Sequence, residues 1–266
     1  MRKADYHLHS EFSFDSREKI ENICVSAVEN GIDEIVLTDH VEFPRGDAFP
    51  WPDYAARTAV IEACRKQYAG RLLIKTGVEL GGGWRDIEGE AALLREQSFD
   101  FVLGSVHYPD GVPEAKGYTF TAENVIPYYD NYLRQLKKMA AVCDYDCLGH
   151  VTYLFRFVPE ELVPVCNPYL YKKDYLELFE IVVSRGKGIE VNCSGLRMPT
   201  VRETLPSLEI LRWYRACGGT IVTVGSDGHS VRSAFSGLEE GYANLRAAGF
   251  DRAARFTARS LSFETL

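Results

Sequence analysis

Ala4-Asp5-Tyr6-His7-Leu8-His9, near the start of a 266-residue chain, reads as a β-strand carrying two histidines two residues apart. Side chains at that spacing point to the same face of a strand, so His7 and His9 can grip one ion from one side. Near the other end, Thr220–Ser226 reads as a strand leading into Gly225-Ser226-Asp227-Gly228-His229, which repeats the spacing as Asp-x-His. A lone His-x-His is a weak signal. The two motifs at opposite ends of a chain that alternates strands and helices are a strong one, because the first and last strands of a closed barrel are neighbours.

The segments between bear this out in kind. Strands are expected at 4–9, 34–39, 72–79, 101–107, 147–150, 188–193 and 220–226, with amphipathic helices near 18–30, 53–69, 86–97, 122–142, 169–185, 204–217 and 236–248. Repeated βα units favour a parallel sheet. All six histidines fall at or just past a strand end: His7 and His9, then His40, His107, His150 and His229. Histidines kept for packing would be scattered, some of them on helix faces. In an open sheet, ligands gather at one switch point, whereas in a barrel they collect at the mouth from nearly every strand. Here six strands end in a potential ligand, and strand six ends in Asn192-Cys193-Ser194-Gly195. We therefore expect an α/β fold, a distorted seven-stranded (β/α) barrel forming a single domain over 1–266.

Several carboxylates join the set. Glu79 closes the third strand after Thr76-Gly77-Val78, where a carboxylate can bridge two ions as a neutral imidazole does not. Asp39 and His40 are adjacent, so their side chains diverge; His40 is read as a ligand and Asp39 as its support. Asp15, after the first strand, is read either as a ligand or as the cap of a helix starting near Arg17.

Composition narrows the partners. A net charge of −8 argues against a polyanion such as nucleic acid, though a metal cluster can reverse the local sign for a small anion. Seven cysteines, at 24, 64, 143, 147, 166, 193 and 217, form no Cys-x-x-Cys pair and read as reduced buried thiols. No run reaches the ~20 apolar residues of a membrane span, and no signal peptide is seen, so a cytoplasmic protein without membrane contact is expected. Oligomeric state leaves no trace in the sequence.

The motifs His7-Leu8-His9-Ser10, Thr38-Asp39-His40, Gly77-Val78-Glu79, Gly104-Ser105-Val106-His107, Gly149-His150 and Gly225-Ser226-Asp227-Gly228-His229 resemble, in order, those of the PHP (polymerase and histidinol phosphatase) family. The resemblance covers essentially the whole chain and implies a trinuclear site in a PHP-like (β/α)7 barrel. By that pattern His7, His9, Glu79 and Asp227 hold one ion, Glu79, His107 and His150 the second, and His40 and His229 the third. Asp15 stands where some members place a further histidine for that third ion. The implied cofactors are two to three divalent transition-metal ions: zinc, manganese or iron.

On the substrate side, a phosphate ester needs cationic donors, and arginine's planar fork suits them. Arg156 follows His150, and Arg197 lies in the Gly- and Ser-containing segment with Ser194 after strand six. Both segments look like those of the monofunctional histidinol-phosphate phosphatases. The resemblance thus implies hydrolysis of a small phosphate monoester, L-histidinol phosphate in histidine biosynthesis. The mechanism would be in-line attack on phosphorus by a metal-bridging hydroxide, with Glu79, Asp39, Arg156 and Arg197 as the catalytic set and Ser194 beside the substrate. The acid that protonates the leaving group is open between Asp39 and a metal-bound water. The aromatic loop 42–52 can either cover an imidazole-bearing substrate or pack as a surface loop. Rival readings are a PHP phosphoesterase for nucleotides or another monoester, an amide-cleaving barrel hydrolase and a non-catalytic metal module. Glu79 and the Asp-x-His ending fit the amide-cleaving class poorly, because that class commonly bridges its ions with a modified lysine.

Overall fold

The computed structural model describes residues 2–46 and 48–266. Its frame is β1 (Ala4–Leu8), β2 (Glu34–Leu37), β3 (His40–Glu42), β4 (Leu73–Gly81), β5 (Phe101–Ser105), β6 (Cys147–Leu148), β7 (Gly188–Asn192) and β8 (Val222–Gly225). These pair in parallel in the order β1-β2-β4-β5-β6-β7-β8, with β3 on β4. β2 and β3 are one strand broken at Thr38-Asp39, because Leu37 faces Thr76 and His40 faces Glu79 in unchanged register. Closure comes after β8. Leu8 bridges Gly228, the His9 amide donates to the Gly228 carbonyl at 2.9 Å, and the Asp227 amide donates to the His7 carbonyl at 2.9 Å. The result is a nearly closed barrel of seven parallel strands.

Seven helices cover it: α1 (Ile20–Glu29), α2 (Tyr54–Gln67), α3 (Ile87–Glu96), α4 (Val125–Val142), α5 (Lys172–Ser184), α6 (Leu208–Ala216) and α7 (Leu238–Ala247). Their starts follow local chemistry. Asp53, Asp86 and Ser207 each accept the amide three residues on, satisfying a donor that has no partner within the helix. Each helix turns its apolar stripe to the strands, and together they bury one large core between the two layers.

A second, smaller apolar cluster gathers Ala4 and Tyr6 of β1, Val36 of β2, Phe101 and Leu103 of β5 and Cys147 of β6. These strands are not all neighbours, so only the barrel interior brings them together. Below them sits an antiparallel hairpin, β9 (Arg252–Thr257) and β10 (Ser260–Thr265), whose Ala254 and Phe256 complete the cluster. Phe256 lies 5.2 Å from Phe101, ring to ring, and its amide donates to the Tyr6 hydroxyl at 2.9 Å. The hairpin plugs the floor of the barrel; the sequence reading assigned nothing to it. All seven cysteines are free thiols, six of them buried. No described helix is long and apolar enough to cross a membrane.

Candidate metal centre

The floor is apolar, and the opposite end, at the strands' C-terminal ends, is where the histidines meet. β1 shows how the sequence achieves this. Its register against β2 shifts between Asp5 and Leu8, and the Asp5 carboxylate accepts the amides of His7, Ser226 and Phe235. The irregularity lets Tyr6 pack into the floor cluster while His7, the next residue, joins the imidazoles above.

Glu79, buried at the end of β4, organises the cluster through its two oxygens. Oε2 lies 2.9 Å from His7 Nε2 and 3.3 Å from His9 Nε2, while Asp227 Oδ1 stands 3.5 Å from His9 Nε2 and 3.8 Å from His7 Nε2. Ligands at ~2.1 Å in a tetrahedron are separated by roughly 3.4 Å, close to each of these contacts. His7, His9 and Glu79 gather within 4.8 Å of one another, and Asp227 approaches from the side of the two histidines. Oε1 faces the other way, 2.8 Å from His150 Nε2 and 3.1 Å from His107 Nε2, with the two imidazole nitrogens 3.3 Å apart. That set has three donors and an open side. A third group lies toward the surface, where Asp15 Oδ2 stands 3.0 Å from His229 Nε2 and 3.3 Å from His40 Nε2. His9 stacks between those two rings, at 4.4 Å from His40 and 4.0 Å from His229, and its ligand atoms reach both the first and the third group.

The donor set fits transition-metal ions on two further observations. His9 Nε2 is buried with no hydrogen-bond partner, a costly arrangement unless something else takes the lone pair. The charges are also mutually stabilised. Burial alone would raise the carboxyls of Glu79 and Asp227, but the surrounding imidazoles hold both well below the ordinary range. Burial pulls His107 down, yet Glu79 and Glu42 push it up to about 10. Anionic oxygen of this density attracts cations.

Asp15 does not cap the first helix: α1 begins at Ile20 after Lys19, and the carboxylate turns to His40 and His229 instead. Asp39, read as the support of His40 and as one of two candidates for the acid, stands behind the cluster. Buried, it accepts the Ser10 amide and hydroxyl at 2.6 and 2.8 Å and the Arg57 guanidinium at 2.6 Å, and it does not line the cleft. Its oxygens are taken up by Ser10 and Arg57, away from the cleft. Arg57 also donates to the carbonyls of Leu37 and Gly77, so the pair pins the break between β2 and β3 that presents His40.

The cleft above the cluster encloses about 530 Å³. Arg156, in the turn Tyr153–Phe157, stacks over Tyr153 and Phe157 at 5.0 and 5.5 Å and has no hydrogen bond to a described residue. Arg197, in the turn Ser194–Arg197, donates to the carbonyls of Ser226 and Asp227, which leaves other guanidinium donors for the cleft. Ser194 is also on the wall, its hydroxyl donating to Asn192 Oδ1 at 2.6 Å. The aromatic loop buttresses more than it lines. Phe49 packs on Phe14 and Tyr108, which do face the cleft, while Trp51 folds back on Phe43. Asp47 of that loop lies outside the described residues.

The sequence pattern of the PHP domain matches residues 5–194. The chain belongs to the PHP domain family. That matched stretch ends before Asp227 and His229, which join the cluster across the closing seam. Relatives of this PHP domain include the histidinol-phosphatase of Lactococcus lactis subsp. lactis, 25% identical over 98% of this chain and 97% of that one. A probable histidinol-phosphatase of Clostridium acetobutylicum is 28% identical over 85% of this chain and 86% of that one. Among solved structures, the Lactococcus lactis histidinol phosphate phosphatase, crystallised with zinc, L-histidinol and phosphate, shares the fold at a TM-score of 0.86. It is 22% identical and covers 98% of this chain and 99% of that one.

Two carboxylates of this PHP domain escaped the sequence reading, Glu190 on β7 and Glu42 on β3. His7 Nδ1 donates to Glu190 Oε1 at 2.7 Å, and His107 Nδ1 donates to Glu42 Oε1 at 2.7 Å. A signal was present: Glu190 interrupts the apolar run Gly188-Ile189-Glu190-Val191, and Glu42 follows His40 at strand spacing.

Proposed function

We propose that this chain is a metal-dependent phosphomonoester hydrolase whose substrate is L-histidinol phosphate, acting in histidine biosynthesis. The observation that carries the reading is Glu79, with one oxygen toward His7 and His9 and the other toward His107 and His150, at the base of a cleft walled by Arg156 and Arg197. The relatives' names support the choice of substrate. The proposed ligands are His7, His9, Glu79 and Asp227 for one ion, Glu79, His107 and His150 for a second, and Asp15, His40 and His229 for a third. Two to three zinc, manganese or iron ions held there would supply an activated water and offset charge on the phosphoryl oxygens.

The chain's own groups do the rest. Arg156 and Arg197 clamp the non-bridging oxygens, fixing phosphorus above the cluster and spreading the charge that builds as water attacks and the ester P–O bond breaks. Tyr153, Phe157 and Phe14 shape the wall and restrict water. Glu114 lines the same cleft without a hydrogen bond or ion pair among the described residues, a free carboxylate matching the ammonium and imidazole of histidinol. Phosphate release from a panel of monoesters, by protein of measured metal content, tests the reading. L-Histidinol phosphate should be turned over fastest, and chelation should abolish turnover. Preference for a nucleotide or a neutral monoester would refute the substrate assignment.

A further inference from the structure

Resting on the metal reading above, we propose that Glu190 and Glu42 are positioning residues that set metal affinity, Glu190 serving both ions bridged by Glu79 and Glu42 only the second. Glu190 is fully buried and uses both oxygens. Oε1 accepts Nδ1–H of His7, a ligand of the first ion. Oε2 accepts the backbone amide of His150, a ligand of the second, at 2.9 Å, and the Asn192 side-chain amide at 3.1 Å. That amide contact matters because His150 sits at φ +23°, a conformation that side-chain-bearing residues rarely adopt and that an outside partner must hold. Glu42 is simpler, its carboxylate holding Nδ1–H of His107 alone. In both pairs the carboxylate fixes the tautomer that leaves Nε2 unprotonated and aimed at the ion, and makes it more basic.

The neighbouring strands are cut to fit these carboxylates. Gly225 on β8 lies where an added Cβ would strike Glu190 Oε1 and the His7 Cβ, and Gly81 on β4 lies where one would strike the Glu42 carboxylate. Neither glycine has a positive φ, so clearance rather than backbone freedom accounts for them. The outer group has no carboxylate of its own for this purpose. His229 Nδ1 lies 3.2 Å from a backbone carbonyl and 3.5 Å from Asp227 Oδ1, and His40 Nδ1 lies 3.2 Å from Glu79 Oε2, both of them carboxylates already assigned to the inner ions.

Glutamine at 190 cannot reproduce the arrangement. Its single carbonyl can serve His7 or the His150 amide, and its NH2 then opposes a donor at the other. The test is zinc titration of the full chain, stripped of metal, in competition with a chelating dye of known zinc affinity, with bound zinc counted by elemental analysis and the fold checked by circular dichroism. Glu190→Gln should weaken two sites by about 10–100-fold, whereas Glu42→Gln should weaken one by about 10–100-fold and leave the others as in wild type. Gly81→Ala should reproduce the Glu42→Gln pattern. A general loss of stability would not give this two-against-one pattern. If Glu190→Gln does not fold, Glu190→Asp keeps the charge but is too short to reach both partners, and should still weaken a site about tenfold or more. Wild-type affinity in folded Glu190 variants, or equal patterns for Glu190→Gln and Glu42→Gln, would overturn the inference. Wild-type protein that takes up fewer than two zinc ions would instead overturn the metal reading beneath it.

Discussion

Among single residues, Glu79 carries the most. Glu79→Gln should cost at least a hundredfold in phosphate release and lower the zinc count, because a neutral amide bridges two cations poorly. Full metal occupancy with near-wild-type turnover would show that Glu79 bridges nothing. Arg156→Ala and Arg197→Ala should each cost about 2–4 kcal/mol of transition-state stabilisation with the zinc count unchanged, and the double variant should be less than additive if both hold one phosphoryl group. Glu114→Gln should raise KM for L-histidinol phosphate while leaving p-nitrophenyl phosphate hydrolysis as it is, since only the former presents a cation; equal effects on both would remove Glu114 from substrate recognition. The histidines were legible because their type and position relative to strand ends are themselves the signal. The setting of Asp39 was not legible because sequence places it beside His40 but says nothing of Arg57, which arrives from α2 and pairs with it. Glu190 and Glu42 were passed over because a carboxylate on a strand has many ordinary explanations until its partner is seen.

Among elements, strands and helices were legible through their periodicity, with ends displaced by a few residues. The strand readings ran on to the histidines, whereas β1, β5 and β6 stop at Leu8, Ser105 and Leu148, just short of His9, His107 and His150. Ladder pairing ends there for β5 and β6, while His9 keeps one backbone bond, to Gly228, and all three imidazoles turn into the mouth. The C-terminal hairpin was not legible. Its run Arg252-Ala253-Ala254-Arg255-Phe256 is short and weakly apolar, and what makes it a strand is the interior it meets. Phe256 is buried against Phe101 and Tyr6, so Phe256→Ala should cost about 3–5 kcal/mol in urea unfolding while the folded fraction keeps its turnover. A loss of turnover in fully folded protein would mean that the floor shapes the mouth.

At the scale of the whole molecule, the proposed ions are cross-links. Their ligands come from the ends of β1, β4, β8 and the segments after β2, β5 and β6, so filling the sites ties most of the barrel circumference together. Each site filled at a hundred times its Kd adds about 2.7 kcal/mol, and excess chelator should therefore lower the melting temperature by several degrees. An unchanged melt would place the ions outside the folding equilibrium. The seam has a further consequence, in time. The Ser226 amide meets Asp5 across 221 residues of chain, and the backbone bonds that join His7 and His9 to Asp227 and Gly228 span nearly as many. On a ribosome adding 5–20 residues per second, the first strand waits on the order of 10–40 s for its last neighbour. Glu79 emerges 70 residues after His9 and Asp227 only at the end of that wait, so the proposed first site has its bridging carboxylate early but receives its last ligand when the barrel is almost complete.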